Sequence, residues 1–225
     1  MPRVPLLLGA FAPFVVVSGF HLAVKVAGLV ELDRATKGLT VPALLLGALL
    51  VLWFDRLALR PPVLALLVAG LVLSWLGDMM LVFFELGVVF FLATQLVYAA
   101  MFVVAFLRRP SWWAVGLVPW YAGLLLALWP FLGDQATIVA VYGAALALMA
   151  AAATRGNALT TIGGALFVGS GSLIAFRMFT PLFQSPAEDA IIMGLYLLAQ
   201  FCVVGGMLRT AVRRAPRRKP AAAAA

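Results

Sequence analysis

One carboxylic acid in this chain stands where an acid is expensive. Asp78 closes the string Leu71-Val72-Leu73-Ser74-Trp75-Leu76-Gly77-Asp78, inside an apolar run from about residue 63 to about residue 84. A run of that length can cross a bilayer, since a span takes roughly 20 residues. A carboxyl group at that depth costs on the order of 2.5–3.5 kcal/mol on insertion scales. It is tolerated only when it faces the protein interior or a water-filled cavity. Two roles fit: a catalytic or binding group, the default for an intramembrane acid, and a structural acid held by hydrogen bonds.

Other polar side chains in apolar stretches could line one cavity with it. Gln95 and Tyr98 are three residues apart, and Tyr196 and Gln200 are four apart, so each pair shares a helix face. Ser170 and Ser172 lie in a run of small residues, where a hydroxyl either bonds between helices or lines a site. Arg177 falls at an interface, where it either snorkels or holds a lipid phosphate. Asp78 is therefore the catalytic candidate. Gln95, Tyr98, Ser170, Ser172, Arg177, Tyr196 and Gln200 are the substrate-binding candidates. Glu85 follows Asp78 by two helical turns, yet it reads better as an interfacial loop residue. His21, the single histidine, has no acid at helical spacing and reads as a packed side chain rather than a proton relay. One His, one Cys and scattered acids do not make a metal ligand set, so no metal or cofactor is expected. Gly169-Ser170-Gly171-Ser172 lacks the strand–turn–helix context of a nucleophile elbow, and no phosphate loop is present.

The elements that must position these groups are membrane spans. The chain is 65% hydrophobic and 11% charged, against about half and a quarter in a soluble domain. The excess runs its whole length, which predicts an all-α polytopic membrane protein, one transmembrane domain over residues 1–208. Eight spans can be drawn, at about residues 4–30, 39–54, 63–84, 87–107, 112–132, 136–153, 159–178 and 190–208. Pro13 is expected to bend the first. The seventh, with Gly163, Gly164, Gly169 and Gly171, is expected to be the central, tightly packed helix. Residues 209–225 form a basic, Pro- and Ala-rich tail, predicted to be disordered. The net charge of +8 is therefore no nucleic-acid signal, because six of the sixteen basic residues fall in that tail. Of those sixteen, only Lys25, Arg34, Lys37 and Arg177 fall on the side opposite the termini. The bias predicts a cell-membrane protein with both ends cytoplasmic, although the tail supplies most of it. Cys202 is the only cysteine, so no intrachain disulfide forms.

These landmarks in order resemble the YhhN family of membrane proteins, whose studied members are lysoplasmalogenases. The resemblance runs from about Thr36 to Gln200. It rests on Thr36-Lys37-Gly38-Leu39-Thr40 with Pro42, on Leu73 to Asp78, on Gly87-x-x-Phe90 through Gln95-x-x-Tyr98, and on Tyr142 with Met149. It ends with Gly164 to Ala175 plus Phe179, and Tyr196-x-x-Ala199-Gln200. The resemblance implies an eight-helix bundle and a lysophospholipid substrate with a 1-alkenyl chain. Its vinyl ether would be cleaved by water to a fatty aldehyde and a glycerophospho-base. Such an ether is activated by protonation at carbon, which needs a general acid, and the resulting cation needs an anion or activated water. Two carboxyl groups would supply both, by the logic of glycosidases.

The chain departs from the family pattern at three places. Ser170-Gly171 stands for Ser-Asp, Gln95 for the usual His, and Lys37-Gly38 for Lys-Pro. Gly171 cannot act as a base or stabilise a cation. Three functions therefore compete: an ether-lysophospholipid hydrolase built on Asp78, a non-catalytic relative that binds or senses lysolipid in the same cavity, and a proton-coupled carrier. The last would be marked by an internal repeat, and none is visible. A second acid beside Asp78, such as Glu85, Glu188 or Asp189, would restore a two-carboxyl mechanism.

Overall fold

The computed structural model describes residues 4–213, an antiparallel bundle of eight α-helices. They are α1 (Val4–Val26), α2 (Val30–Phe54), α3 (Pro61–Met80), α4 (Phe84–Ala105), α5 (Leu117–Leu132), α6 (Ala136–Ala153), α7 (Ala158–Phe179) and α8 (Pro186–Leu208). Seven stretches are long and apolar enough to cross a membrane. One of them, Trp112–Ala153, holds both α5 and α6. The two helices fold back on each other at Gly133, whose φ of +47° is open to glycine and strained for other residues. The Tyr121 hydroxyl closes this hairpin on the Ala140 carbonyl at 2.9 Å. Helices satisfy every interior backbone group within one segment, which is what hydrocarbon demands. Val15, Val16, Phe20, Trp53, Leu126 and Leu198 are exposed on the bundle surface, as lipid-facing residues would be.

The helix ends carry the expected local chemistry. Asn157 caps α7 through Leu159 N–H and Thr160 N–H. Ser185 and Glu188 form a capping box on α8, and Pro61 opens α3. The second helix differs from the sequence expectation. It starts at Val30 rather than near residue 39, so Glu31, Asp33, Arg34 and Lys37 are helical. Acids in a first turn favour the helix N-terminus, and apolarity marks only the membrane-embedded part of a helix. Helix α1 runs through Pro13 without a break.

The bundle is centred on α8 and not on α7. In α8, 61% of the apolar window is buried, against 33% in α7. Small residues on α7 mark close approach to its neighbours rather than burial on all sides. After α8, Val212–Arg213 pairs antiparallel with Leu57–Ala58, a two-residue ladder that ties the end of the described chain to the α2–α3 loop. The tail from residue 214 onward lies outside the described residues. Because the helices alternate, the α1, α3, α5 and α7 C-termini meet the α2, α4, α6 and α8 N-termini at one end of the bundle. The site lies at that end.

Candidate active site

The site is built on one face of α3. Ser74 and Asp78, four residues apart, both point into the bundle and are buried. Opposite them, Tyr98 of α4 packs close against α3 because position 70 is glycine. A Cβ at Gly70 would stand 2.2 Å from the Tyr98 ring. Tyr196 and Gln200 reach in from α8, also four apart and buried.

These five side chains form one hydrogen-bonded chain, and its direction can be worked out. Tyr98 Oη donates to Gln200 Oε1 at 2.7 Å. The Gln200 amide nitrogen then donates to Ser74 Oγ at 2.6 Å. Tyr196 Oη donates to Asp78 Oδ2 at 2.7 Å, which uses its only proton. The 2.6 Å contact between Ser74 and Tyr196 must therefore have Ser74 as donor. Every proton in the chain points toward the Asp78 carboxylate, and each bond polarises the next.

The other carboxylate oxygen, Oδ1, faces the Lys37 ammonium at 3.0 Å. The placement of Lys37 follows from a proline. Pro42 has no N–H, so the Gly38 carbonyl four residues back loses its helical donor. The Trp75 indole N–H fills that place at 2.9 Å. Trp75 is three residues before Asp78, and Gly38 is next to Lys37. The indole bond and the ion pair are therefore two rungs between α2 and α3. Asp78 thus carries acceptors only, one toward a cation and one toward a phenol.

Asp78, Lys37 and Tyr196 border a cavity of about 330 Å³. Phe91, Phe167, Ile174 and Met193 give it apolar walls. Ion pairs linking helix ends also line it. Lys25 of α1 meets Asp33 of α2 at 2.9 Å and Asp189 of α8 at 2.7 Å. Arg177 of α7 meets Asp189 at 3.6 Å and also holds the Phe183 carbonyl. Three cations and three acids line the wall as two sets of ion pairs, Arg177–Asp189–Lys25–Asp33 and Lys37–Asp78. Such a surface suits a head end carrying phosphate, while the apolar walls suit the start of a chain.

The structure brings the sequence candidates together unevenly. Asp78, Gln95, Ser170, Arg177 and Tyr196 line the cavity. Tyr98 and Gln200 do not; they act behind it, through Ser74 and Tyr196. Ser170 Oγ is occupied by the Ile192 carbonyl at 3.0 Å. Ser172 is a correction: it bonds the Val168 carbonyl at 2.7 Å and the Trp120 indole at 3.2 Å, away from the cavity. Two residues along a helix rotate by about 200°, so Ser170 and Ser172 had to face opposite ways. Among the acids offered as a second carboxylate, Asp189 lines the cavity, whereas Glu188 caps α8 and Glu85 contacts Gln135. Asp33 and Lys37 line it too, although their sequence neighbourhood reads as a loop, and Lys25, near the end of the first span, lines it with them. Only Lys37, inside the Thr36 to Thr40 string, carried a signal. His21 is buried and bonds Thr36 Oγ1 at 2.8 Å, joining α1 to α2. Thr36 gives its own proton to the Leu32 carbonyl, so His21 Nδ1 is the donor.

A helical membrane bundle with one buried acid at the end of a polar chain is the class of protein this architecture defines. The chain matches the model of the YhhN family over residues 32–207 and belongs to that family. The match takes in Lys37, Asp78 and Tyr196 together. No solved structure matches the chain.

Proposed function

We propose that this protein is a membrane hydrolase of ether lysophospholipids, of the lysoplasmalogenase type. The observation that carries this reading is the Lys37–Asp78 pair, 3.0 Å apart, on the wall of a cavity with a charged rim and apolar sides. Family membership supports it. The overall reaction adds water to a 1-alkenyl lysophospholipid and yields a fatty aldehyde and a glycerophospho-base. Lys37 gives a proton to the alkenyl carbon remote from oxygen, and an oxocarbenium ion forms. The Asp78 carboxylate faces that cation and stabilises it. Water then attacks the carbon bound to oxygen, and Asp78 takes the proton it sheds. The hemiacetal collapses to aldehyde and alcohol. Transfer of the proton from Asp78 back to Lys37 restores the pair. Tyr196, with three groups behind it, holds the carboxylate in place throughout.

The test is aldehyde release from 1-alkenyl-glycero-3-phosphoethanolamine by the purified protein in detergent. Asp78→Ala and Lys37→Met are each expected to lower the rate by about 10²-fold or more, the scale of a lost acid or base. No release above the Asp78→Ala control removes the reading.

A second reading, lysolipid binding without turnover, is favoured by Gly171. No side chain projects there, and a Cβ would meet the end of Leu146 at 2.6 Å and the Tyr142 hydroxyl at 3.8 Å. Activity created by Gly171→Asp and absent from the parent supports this second reading; a parent that turns over removes it.

A further inference from the structure

We infer that the corner of the cavity formed by Gln95, Tyr142 and Gly171 is a subsite for a free hydroxyl group of the ligand. The inference rests on the lysolipid reading above and assigns a part of the ligand which that reading leaves open.

The first observation is an incompletely paired amide. Gln95 is 1% exposed, and neither its amide nitrogen nor its amide oxygen makes a hydrogen bond of ordinary geometry, the Tyr142 hydroxyl being only a loose partner. Leaving a buried amide short of partners is costly. The cavity's other polar side chains do not share this state. Asp78 is paired with Lys37 and Tyr196, Ser170 with Ile192, and Lys25, Asp33, Arg177 and Asp189 with one another. Asp33 Oδ1 also lacks a hydrogen bond but has the Lys25 ammonium 2.9 Å away; Gln95 has no such ionic partner, and it lines the cavity.

The second observation is what surrounds it. The Tyr142 hydroxyl of α6 faces the Gln95 side chain of α4. Gly171 of α7 closes the corner without a side chain; the place its Cβ would take is overlapped by the end of the Leu146 side chain at 2.6 Å and lies 3.8 Å from that hydroxyl. Three helices thus meet at a corner of the cavity bordered by one amide and one phenol. None of these three residues carries a charge. Phosphate or carboxylate has no cation to meet there, and an ammonium has no anion. An amide and a phenol each give and accept hydrogen bonds. The complementary ligand group is neutral and does both, which describes a hydroxyl. The Gln95 amide atoms are buried, so the ligand hydroxyl meets Tyr142 first and Gln95 backs it as the second partner.

A lysophospholipid has one free hydroxyl on its glycerol unit, between the ether carbon and the phosphate-bearing carbon. In a lipid with two chains that position is an ester, which cannot donate. The corner therefore favours single-chain over two-chain lipids by hydrogen bonding.

The experiment uses the full chain in detergent and a saturated probe that cannot be protonated at carbon, 1-O-hexadecyl-glycero-3-phosphoethanolamine. Its affinity is compared calorimetrically with that of its 2-deoxy analogue. The wild-type protein is expected to prefer the hydroxyl form by at least about tenfold, since a site built for a hydroxyl rejects the analogue lacking it. Tyr142→Phe and Gln95→Met are expected to bring the preference to within about twofold. Gly171→Ala, whose Cβ meets only the flexible end of Leu146 at 2.6 Å, is expected to weaken the hydroxyl form selectively. Equal binding of the two probes by wild type overturns the inference while leaving the lysolipid reading intact. A preference that survives in both Tyr142→Phe and Gln95→Met also overturns it. Failure of both probes to bind overturns both readings.

Discussion

The bond from Trp75 to Gly38 makes a prediction that separates it from ordinary packing. Trp75→Phe removes the indole donor and leaves the Gly38 carbonyl without a partner, because Pro42 cannot supply one. An unsatisfied buried acceptor costs about 1–3 kcal/mol. Trp75→Phe also loses some packing, which would confuse a single measurement. Pro42→Ala resolves this, since it restores an N–H four residues after Gly38 and offers the carbonyl a helical donor. In the Pro42→Ala background, Trp75→Phe should cost less. The coupling between the two substitutions should be about 0.6 kcal/mol and no more than about 1.7, the mean and the maximum of side-chain hydrogen bonds measured in a membrane bundle. The assay is unfolding of the purified protein in mixed micelles by dodecyl sulfate, followed by far-ultraviolet circular dichroism on wild type, both single variants and the double. Coupling within about 0.3 kcal/mol of zero, the level at which independent sites add, would refute the claim that Pro42 and Trp75 act on one carbonyl.

Asp78→Asn leaves the Lys37 ammonium without its counter-charge, and losing one partner of a buried pair costs about 3–5 kcal/mol. Adding Lys37→Met should recover most of that stability in the same unfolding assay while aldehyde release stays absent. Gly70→Ala should destabilise by about 1–3 kcal/mol through overpacking against Tyr98, whose ring lies 2.2 Å from the new methyl group. Gly133→Ala should cost about 1–2 kcal/mol because of its left-handed φ of +47°, with no change in lysolipid affinity, since it lies outside the cavity. Tyr196→Phe should lower the rate of aldehyde release without abolishing it, because Asp78 keeps Lys37 and loses only its phenol partner. A Tyr196→Phe variant with unchanged kcat would show that the polar chain is structural alone.

The sequence made some of this site legible and hid the rest for identifiable reasons. A carboxylate in a hydrocarbon run is visible without coordinates, because its cost depends only on its surroundings along the chain. Likewise, Tyr196 and Gln200 declare a shared face by their spacing. Their meeting with Asp78 does not, since 118 residues separate Tyr196 from it and nothing local records which helix faces which. Lys37 and Asp33 were hidden by a different effect. Their charges ended the apolar pattern, so α2 appeared to start later than it does, and these cavity-lining residues read as loop. The small residues of α7 misled in the opposite direction. They report how near a neighbouring backbone can come, not how many neighbours a helix has. Ser172 needed only the rotation per residue to be separated from Ser170.

The direction of the polar chain behind Asp78 has a consequence for the membrane. Gln200 sits between Tyr98 and Ser74 and contributes an amide to the sequence of donors. An amide can turn, but it does not pass a proton from its oxygen to its nitrogen the way a hydroxyl row does. Hydrogen ions that reach the carboxylate from the cavity therefore find no conducting row onward through Tyr98. The bundle can expose an ionisable group on one side of a bilayer without draining the gradient across it.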